Sequence, residues 1–305
     1  MRRLPLALSA LILLVAAGCG SSGDDPAGSE GPEIIAAFYP LEFVATEIAG
    51  GNANVTNLSP PGVEPHDLEL APDQVRSLAQ ADLVLYIGEG FQPAVEDVIG
   101  ELSGTPVIDG LEIQEELIEG GHSHEEEGGH EEGASDPHVW LDPPRVASLG
   151  RAVAAEMERI DPDNADVYAD NAAALADLLA ELDEEYSAAL ENCERNELVV
   201  SHEAFGYLTE RYGLDQVGVS GIDPESEPSP GRVAEVAEFA REHEVSTIFF
   251  EEQVAPDIAQ VIADEVGADV KVLDPLEFPP DGDADYFDVM RSNLDSISTA
   301  LGCSR

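Results

Sequence analysis

Two blocks of alternating apolar runs and helical patterns flank one long helical repeat near the middle of the chain. From Asn164 to Glu191, residues Leu175, Leu178, Leu179, Leu182 and Tyr186 recur at helical spacing. At 1.5 Å per residue such a helix runs about 42 Å, enough to traverse a whole molecule. Asp161-Pro162-Asp163 stops the preceding helical pattern and caps this one. Before it, Ile34 to Phe38, Val55 to Leu58, Leu83 to Ile87 and Val107-Ile108 read as strands, with helices near Phe43 to Ala49 and Asp73 to Ala79. After it, Leu198 to Val200, Val217 to Val219, Thr247 to Phe250 and Val270 to Leu273 read as strands. Helices are expected after Ala204 and over Arg232 to His243, Pro256 to Val266 and Tyr286 to Leu301. This alternation predicts parallel sheets covered by helices. The fold class is therefore α/β, with an N-terminal lobe over 33–160, a linking helix over 161–192 and a C-terminal lobe over 193–305.

The length of 305 residues suffices for two lobes that each bury a core. The charge narrows the partners. Sixty-four acidic residues face 13 basic ones, a formal charge of −51, and Lys271 is the only lysine. Such a surface repels nucleic acid and anionic headgroups, so no nucleic-acid partner is expected. It suits high salt, where self-repulsion is screened. Disorder is excluded because apolar periodicity persists along the chain.

The first 19 residues read as a targeting signal. Met1-Arg2-Arg3 is a positive start, and Leu4 to Ala17 is an apolar run short for a membrane span. Ala16-Ala17-Gly18-Cys19 resembles the lipobox of bacterial lipoproteins, whose cleavage leaves the cysteine lipid-modified; the alternative is a secretory signal with an incidental cysteine. On the lipoprotein reading Cys19 anchors an extracytoplasmic protein to the membrane, at the cell surface or in a periplasm. Residues 20–32 (GSSGDDPAGSEGP) read as a flexible tether. Cys193 and Cys303 remain, and an even pair in an exported protein points to a disulfide over two free thiols. On the chain-entropy model, closing that loop stabilises by roughly 4–5 kcal/mol.

Histidines bring in metal. His122, His124 and His130 lie in the Gly/Glu-rich loop 120–133, inside a long insertion from Asp109 to Pro137. They read as an accessory metal-binding tract or as a solvated loop. A sparser set sits where open parallel sheets bind ligands, beyond the carboxyl ends of strands. His66 follows the second strand, His202 follows Val199-Val200-Ser201, and Asp274 ends the strand Val270 to Leu273. His138 lies in the proline-bounded segment DPHVWLDP, just before a helix. Two donors from each lobe would close a four-ligand site in the cleft between them, and imidazoles with one carboxylate suit zinc. Singly, each has a plainer role: Asp274 as a turn residue, and Asp136 and Asp142 as turn caps beside His138. His243 reads as a solvated surface residue.

The segments GVEPHD (Gly62 to Asp67), DPHVWLDP (Asp136 to Pro143), SHEAFGY (Ser201 to Tyr207) and LDPL (Leu273 to Leu276) resemble the zinc-type, cluster A-I solute-binding proteins of metal ABC transporters. So do GIDP at Gly221 with EPSPG at Glu227, and FEEQ at Phe250. The resemblance covers about Ile34 to Cys303. It implies two lobes linked by a rigid helix, with Zn2+ as the transported ligand held between them by His66, His138, His202 and Asp274. It also implies delivery of the ion to an ABC transporter permease, by a monomer that is no enzyme. Manganese- or iron-importing relatives are the nearest alternative, but they tend to place a glutamate where this chain has His202, and manganese prefers oxygen-rich sites. Two readings from other classes are a surface adhesin and a zinc hydrolase with an open water position and Glu203 or Glu64 as base. No HExxH pairing supports the hydrolase.

Overall fold

The structure is a computed structural model that describes residues 31–120, 135–251 and 257–304. The signal segment with Cys19, the tether, and the loop histidines His122, His124 and His130 lie outside the described residues.

The first lobe runs β1 (Glu33–Ala36), α1 (Tyr39–Ala49), β2 (Asn54–Asn57), α2 (Pro72–Gln80), β3 (Leu83–Tyr86), α3 (Pro93–Glu101) and β4 (Val107–Asp109). Its four strands are all parallel, in the order β2-β1-β3-β4. The apolar strands β1 and β3 take the centre and bury both faces, while the polar NVTN of β2 takes an edge. Helix α3 has no clear counterpart in the sequence pattern. Pro93 opens it, and Val95 is the residue it buries.

Two helices follow, separated where Asp161-Pro162-Asp163 predicts a stop. Helix α4 (Pro143–Ile160) ends at Asp161, and α5 (Ala165–Leu190) starts beyond a short turn. The Tyr168 hydroxyl donates to Asp161 Oδ2 at 2.7 Å and fixes that corner. At 26 residues, α5 runs about 39 Å. It touches both lobes: Asn171 Nδ2 donates to Ile48 O at 3.0 Å on one side, and Tyr186 Oη donates to Met290 O at 2.6 Å on the other.

The second lobe repeats the first. Elements β5 (Glu197–Val200), α6 (Gly206–Tyr212), β6 (Asp215–Gly218), α7 (Pro230–Glu242), β7 (Thr247–Phe250), α8 (Asp257–Val266), β8 (Asp269–Val272) and α9 (Tyr286–Leu301) form a parallel sheet ordered β6-β5-β7-β8. Each sheet thus has its order reversal beside its first strand, the point beyond which a ligand cleft opens. One apolar cluster runs from β1 and β3 through α4 and α5 into Phe205, Tyr207, Tyr286 and Met290, so the lobes share a core. A disulfide joins Cys193, just after α5, to Cys303, just after α9.

Candidate metal centre

Four loops at the carboxyl ends of the two sheets supply the site. His66 lies between β2 and α2, where Gln92 Nε2 donates to Pro65 O at 3.2 Å and the Phe91 ring meets the imidazole edge-on at 4.3 Å. His138 enters a single 3-10 turn, Val139–Leu141, whose apolar side chains are buried and which Pro143 converts into α4. His202 follows β5 directly. Glu277 lies in the loop after β8, where Leu276 adopts a left-handed backbone (φ 60°) that redirects the chain.

These four residues converge so that one donor atom from each lies within 4.8 Å of all the others. Glu277 Oε1 is 3.5 Å from His66 Nε2, 3.4 Å from His138 Nε2 and 3.5 Å from His202 Nε2. The Nε2 atoms of His138 and His202 are 3.3 Å apart. His138, His202 and Glu277 are buried, whereas the His66 side chain keeps 10% of its surface exposed. Both Glu277 oxygens and His66 Nε2 are buried without an aligned hydrogen-bond partner. Unpaired buried carboxylate oxygens are costly, and a cation at their centre removes that cost.

The electrostatics agree. Burial pushes the Glu277 carboxyl up, but the three histidines outweigh it and hold the group well below the usual carboxylate range. Burial pushes His138 down, yet Asp136 and Glu277 keep it above its ordinary value. For His202, Glu251 and Glu277 overcome burial by more, raising it well above. Glu64 is pushed up to about 9 by burial and by the charge on Glu277.

Side chains from one ligand loop brace another. Trp140 Nε1 donates to Pro275 O at 2.7 Å, joining the His138 turn to the Glu277 loop. The Tyr286 hydroxyl donates to Trp140 O at 2.8 Å, and the Tyr207 hydroxyl donates to Asp136 O at 2.9 Å. Asp142 precedes α4 but does not cap it through its side chain, which instead accepts from Arg145 Nε at 3.1 Å.

One expected donor is corrected. Asp274 does not join the group; Glu277, three residues on, does. Asp274 Oδ1 accepts from Leu276 N at 2.7 Å, and its backbone is clamped by Asn293, which donates to Asp274 O at 2.7 Å and accepts from Asp274 N at 3.0 Å. It therefore serves the turn that presents Glu277. The signal for Glu277 was a charged residue between Leu276 and Phe278, an apolar setting that an unpaired surface glutamate does not need. Glu203 is buried, with Arg232 Nη2 at 3.9 Å from its Oε1, and is not part of the group. His243 lies outside it, with Nδ1 2.9 Å from Glu197 Oε1.

Two parallel-sheet lobes, a long linking helix and a buried cluster of three histidines and one glutamate between them define a two-lobed solute-binding architecture. The zinc-uptake complex component A periplasmic family (ZnuA) matches residues 34–300, and the chain belongs to that family. It is 34% identical over 308 residues to the high-affinity zinc uptake system protein ZnuA of Bacillus subtilis (strain 168), covering 96% of each. It is 32% identical over 309 residues to the zinc-binding lipoprotein AdcA of Streptococcus pneumoniae (strain ATCC BAA-255 / R6), covering 97% of this chain but only 60% of AdcA. Among solved structures, the Zn(II)-bound ZnuA-like domain of Streptococcus pneumoniae AdcA matches with a TM-score of 0.75 at 30% identity, over 89% of this chain and 99% of that one.

Proposed function

We propose that this protein is an extracytoplasmic receptor that binds Zn2+ between its lobes through His66, His138, His202 and Glu277 and hands it to the permease of an ABC-type importer. The observation that carries this reading is the buried Glu277 carboxylate, surrounded by three histidine nitrogens at 3.4–3.5 Å with neither oxygen in an aligned hydrogen bond. Three nitrogens and one carboxylate form a tetrahedral zinc donor set, whereas manganese prefers more oxygen ligands. Four protein donors leave no open coordination position, which argues against hydrolysis, since a catalytic zinc needs a water in that position. Cys19 carries the lipid that keeps the receptor at the membrane surface, and the receptor works as a monomer.

The test is calorimetric titration of zinc into the metal-free mature chain. One tight site per chain is expected, lost in His138→Ala and in His202→Ala. Deleting 120–133, with its three histidines, is expected to leave that site in place. A tight site that vanishes with the loop and survives either histidine change contradicts the assignment.

A further inference from the structure

The three histidines of the centre are not held alike. His138 Nδ1 lies 2.7 Å from Asp136 Oδ1, and His202 Nδ1 lies 2.5 Å from Glu251 Oε1. His66 instead rests edge-on against Phe91 and reaches Glu277 through Nε2. We infer that Asp136 and Glu251 are positioning residues that lock His138 and His202 in the tautomer aiming Nε2 at the cargo, with Gly206 leaving the room Asp136 needs. The inference rests on the metal-receptor reading.

A carboxylate oxygen at this distance from a ring nitrogen accepts its hydrogen, which places the proton on each Nδ1 and leaves each Nε2 its lone pair. The two Nε2 atoms are the ones that face each other and Glu277. Neither carboxylate is free to swing. Asp136 Oδ1 also accepts from His138 N at 2.9 Å, Asp136 N donates to Ile118 O at 3.0 Å, and its carbonyl accepts from Tyr207. A methyl group on Gly206 would overlap Asp136 Oδ2 and press on Ile118 Cδ1. Glu251 Oε1 also accepts a hydrogen bond from Ser201 Oγ, the residue before His202. Each lobe thus supplies its own orienting carboxylate. The first is local, two residues from its histidine; the second directly follows the neighbouring strand β7, 49 residues away.

Partners of this kind typically cost tenfold to a hundredfold in metal affinity when removed, by order of magnitude. The experiment uses the mature chain in four variants: Asp136→Ala, Glu251→Ala, Glu251→Gln and Gly206→Ala. Zinc affinity is read by competition with a chelator, the histidine tautomers by long-range 15N–1H NMR of the zinc-loaded protein, and folding by the melting temperature of the metal-free form. Both alanine variants are expected to bind one zinc about 10–100-fold more weakly. Glu251→Gln, whose amide oxygen still accepts from Nδ1, should recover most of that loss and keep the tautomer. Gly206→Ala should reproduce Asp136→Ala without removing a polar group. The inference is overturned if Glu251→Ala binds zinc as tightly as the parent, or if glutamine fails to rescue while the tautomers stay unchanged. A parent chain with no tight site would sink the receptor reading itself, a different result from a tight site indifferent to these carboxylates.

Discussion

His138 and His202 reach across from opposite lobes until their Nε2 atoms stand 3.3 Å apart. With each Nδ1 donating to a carboxylate, two lone pairs point at each other, and Glu277 Oε1 lies beside both. A proton or a metal ion placed there relieves that arrangement. The two therefore compete for one place.

The pH dependence follows with a definite sign. Carboxylates raise both imidazoles above their ordinary 6.5, His202 the more, so near neutral pH the metal-free pair still holds a proton. Zinc must expel it, and binding should release protons. Affinity is expected to keep rising from pH 6 through 8, past the ordinary histidine range. In the metal-free protein the raised histidines stabilise the fold fully below about 6.5. That contribution disappears as pH climbs through their folded values. Glu277, held low, stabilises above its ordinary 4.5 and loses this as pH falls through its folded value. The metal-free melting temperature should thus peak in mildly acidic buffer, while the increment added by zinc grows with pH. Scanning calorimetry with and without zinc at pH 5.5, 6.5 and 7.5 checks this; an increment that shrinks with pH contradicts it.

The proposed ligand Glu277 and the turn residue Asp274 should respond differently to substitution. Glu277→Ala removes the only carboxylate of the group and is expected to weaken zinc by at least about tenfold, the lower bound for lost orienting partners. Asp274→Ala removes the acceptor for Leu276 N and is expected to cost about 0.5–1.5 kcal/mol of stability. The affinity should change far less in that variant than in Glu277→Ala. Chelator competition and urea unfolding of both variants measure the two effects; equal losses of affinity would return Asp274 to the site.

Glu277 and Asp274 mark how far the sequence was legible. Strands of the type Thr247–Phe250 and helices of the type Tyr286–Leu301 appear where period and apolar runs place them, because burial enforces those patterns. His66, His138 and His202 stand out because each follows a strand or precedes a helix at the cleft end. Glu277 was hidden because its position depends on a left-handed turn at Leu276 and on Asn293, which comes from a helix 19 residues beyond Asp274. The break at Asp161 had its proline signal, yet α3 had little, since its packing rests on Val95 alone among fully buried positions.

Trp140 tests whether the ligand loops are braced as a unit. Trp140→Phe keeps the ring against Phe38, Phe91 and His138 but removes the Nε1 donor to Pro275 O. A buried carbonyl left without its partner costs about 1–3 kcal/mol. Because Pro275 opens the turn that presents Glu277, zinc affinity should fall as well. Urea unfolding of the metal-free and zinc-loaded variant reads both; a change in stability with affinity untouched would mean that the loops are positioned independently.

The disulfide gives the opposite expectation. It lies at the amino end of β5, whereas His202 follows the carboxyl end of that strand. Four residues of strand separate the two ends by about 13 Å. Replacing Cys193 and Cys303 together by serine removes the cross-link without touching any ligand loop. Chain entropy sets the expected loss at up to about 4–5 kcal/mol for a closed loop of this size. Zinc affinity at a temperature where the variant remains folded should match the parent, because the shared core, the Trp140 brace and the four donor loops are all retained. Urea unfolding under non-reducing conditions and chelator competition measure the two quantities. A large loss of affinity in the folded double variant would show that the cross-link at one end of the sheet sets the geometry at the other.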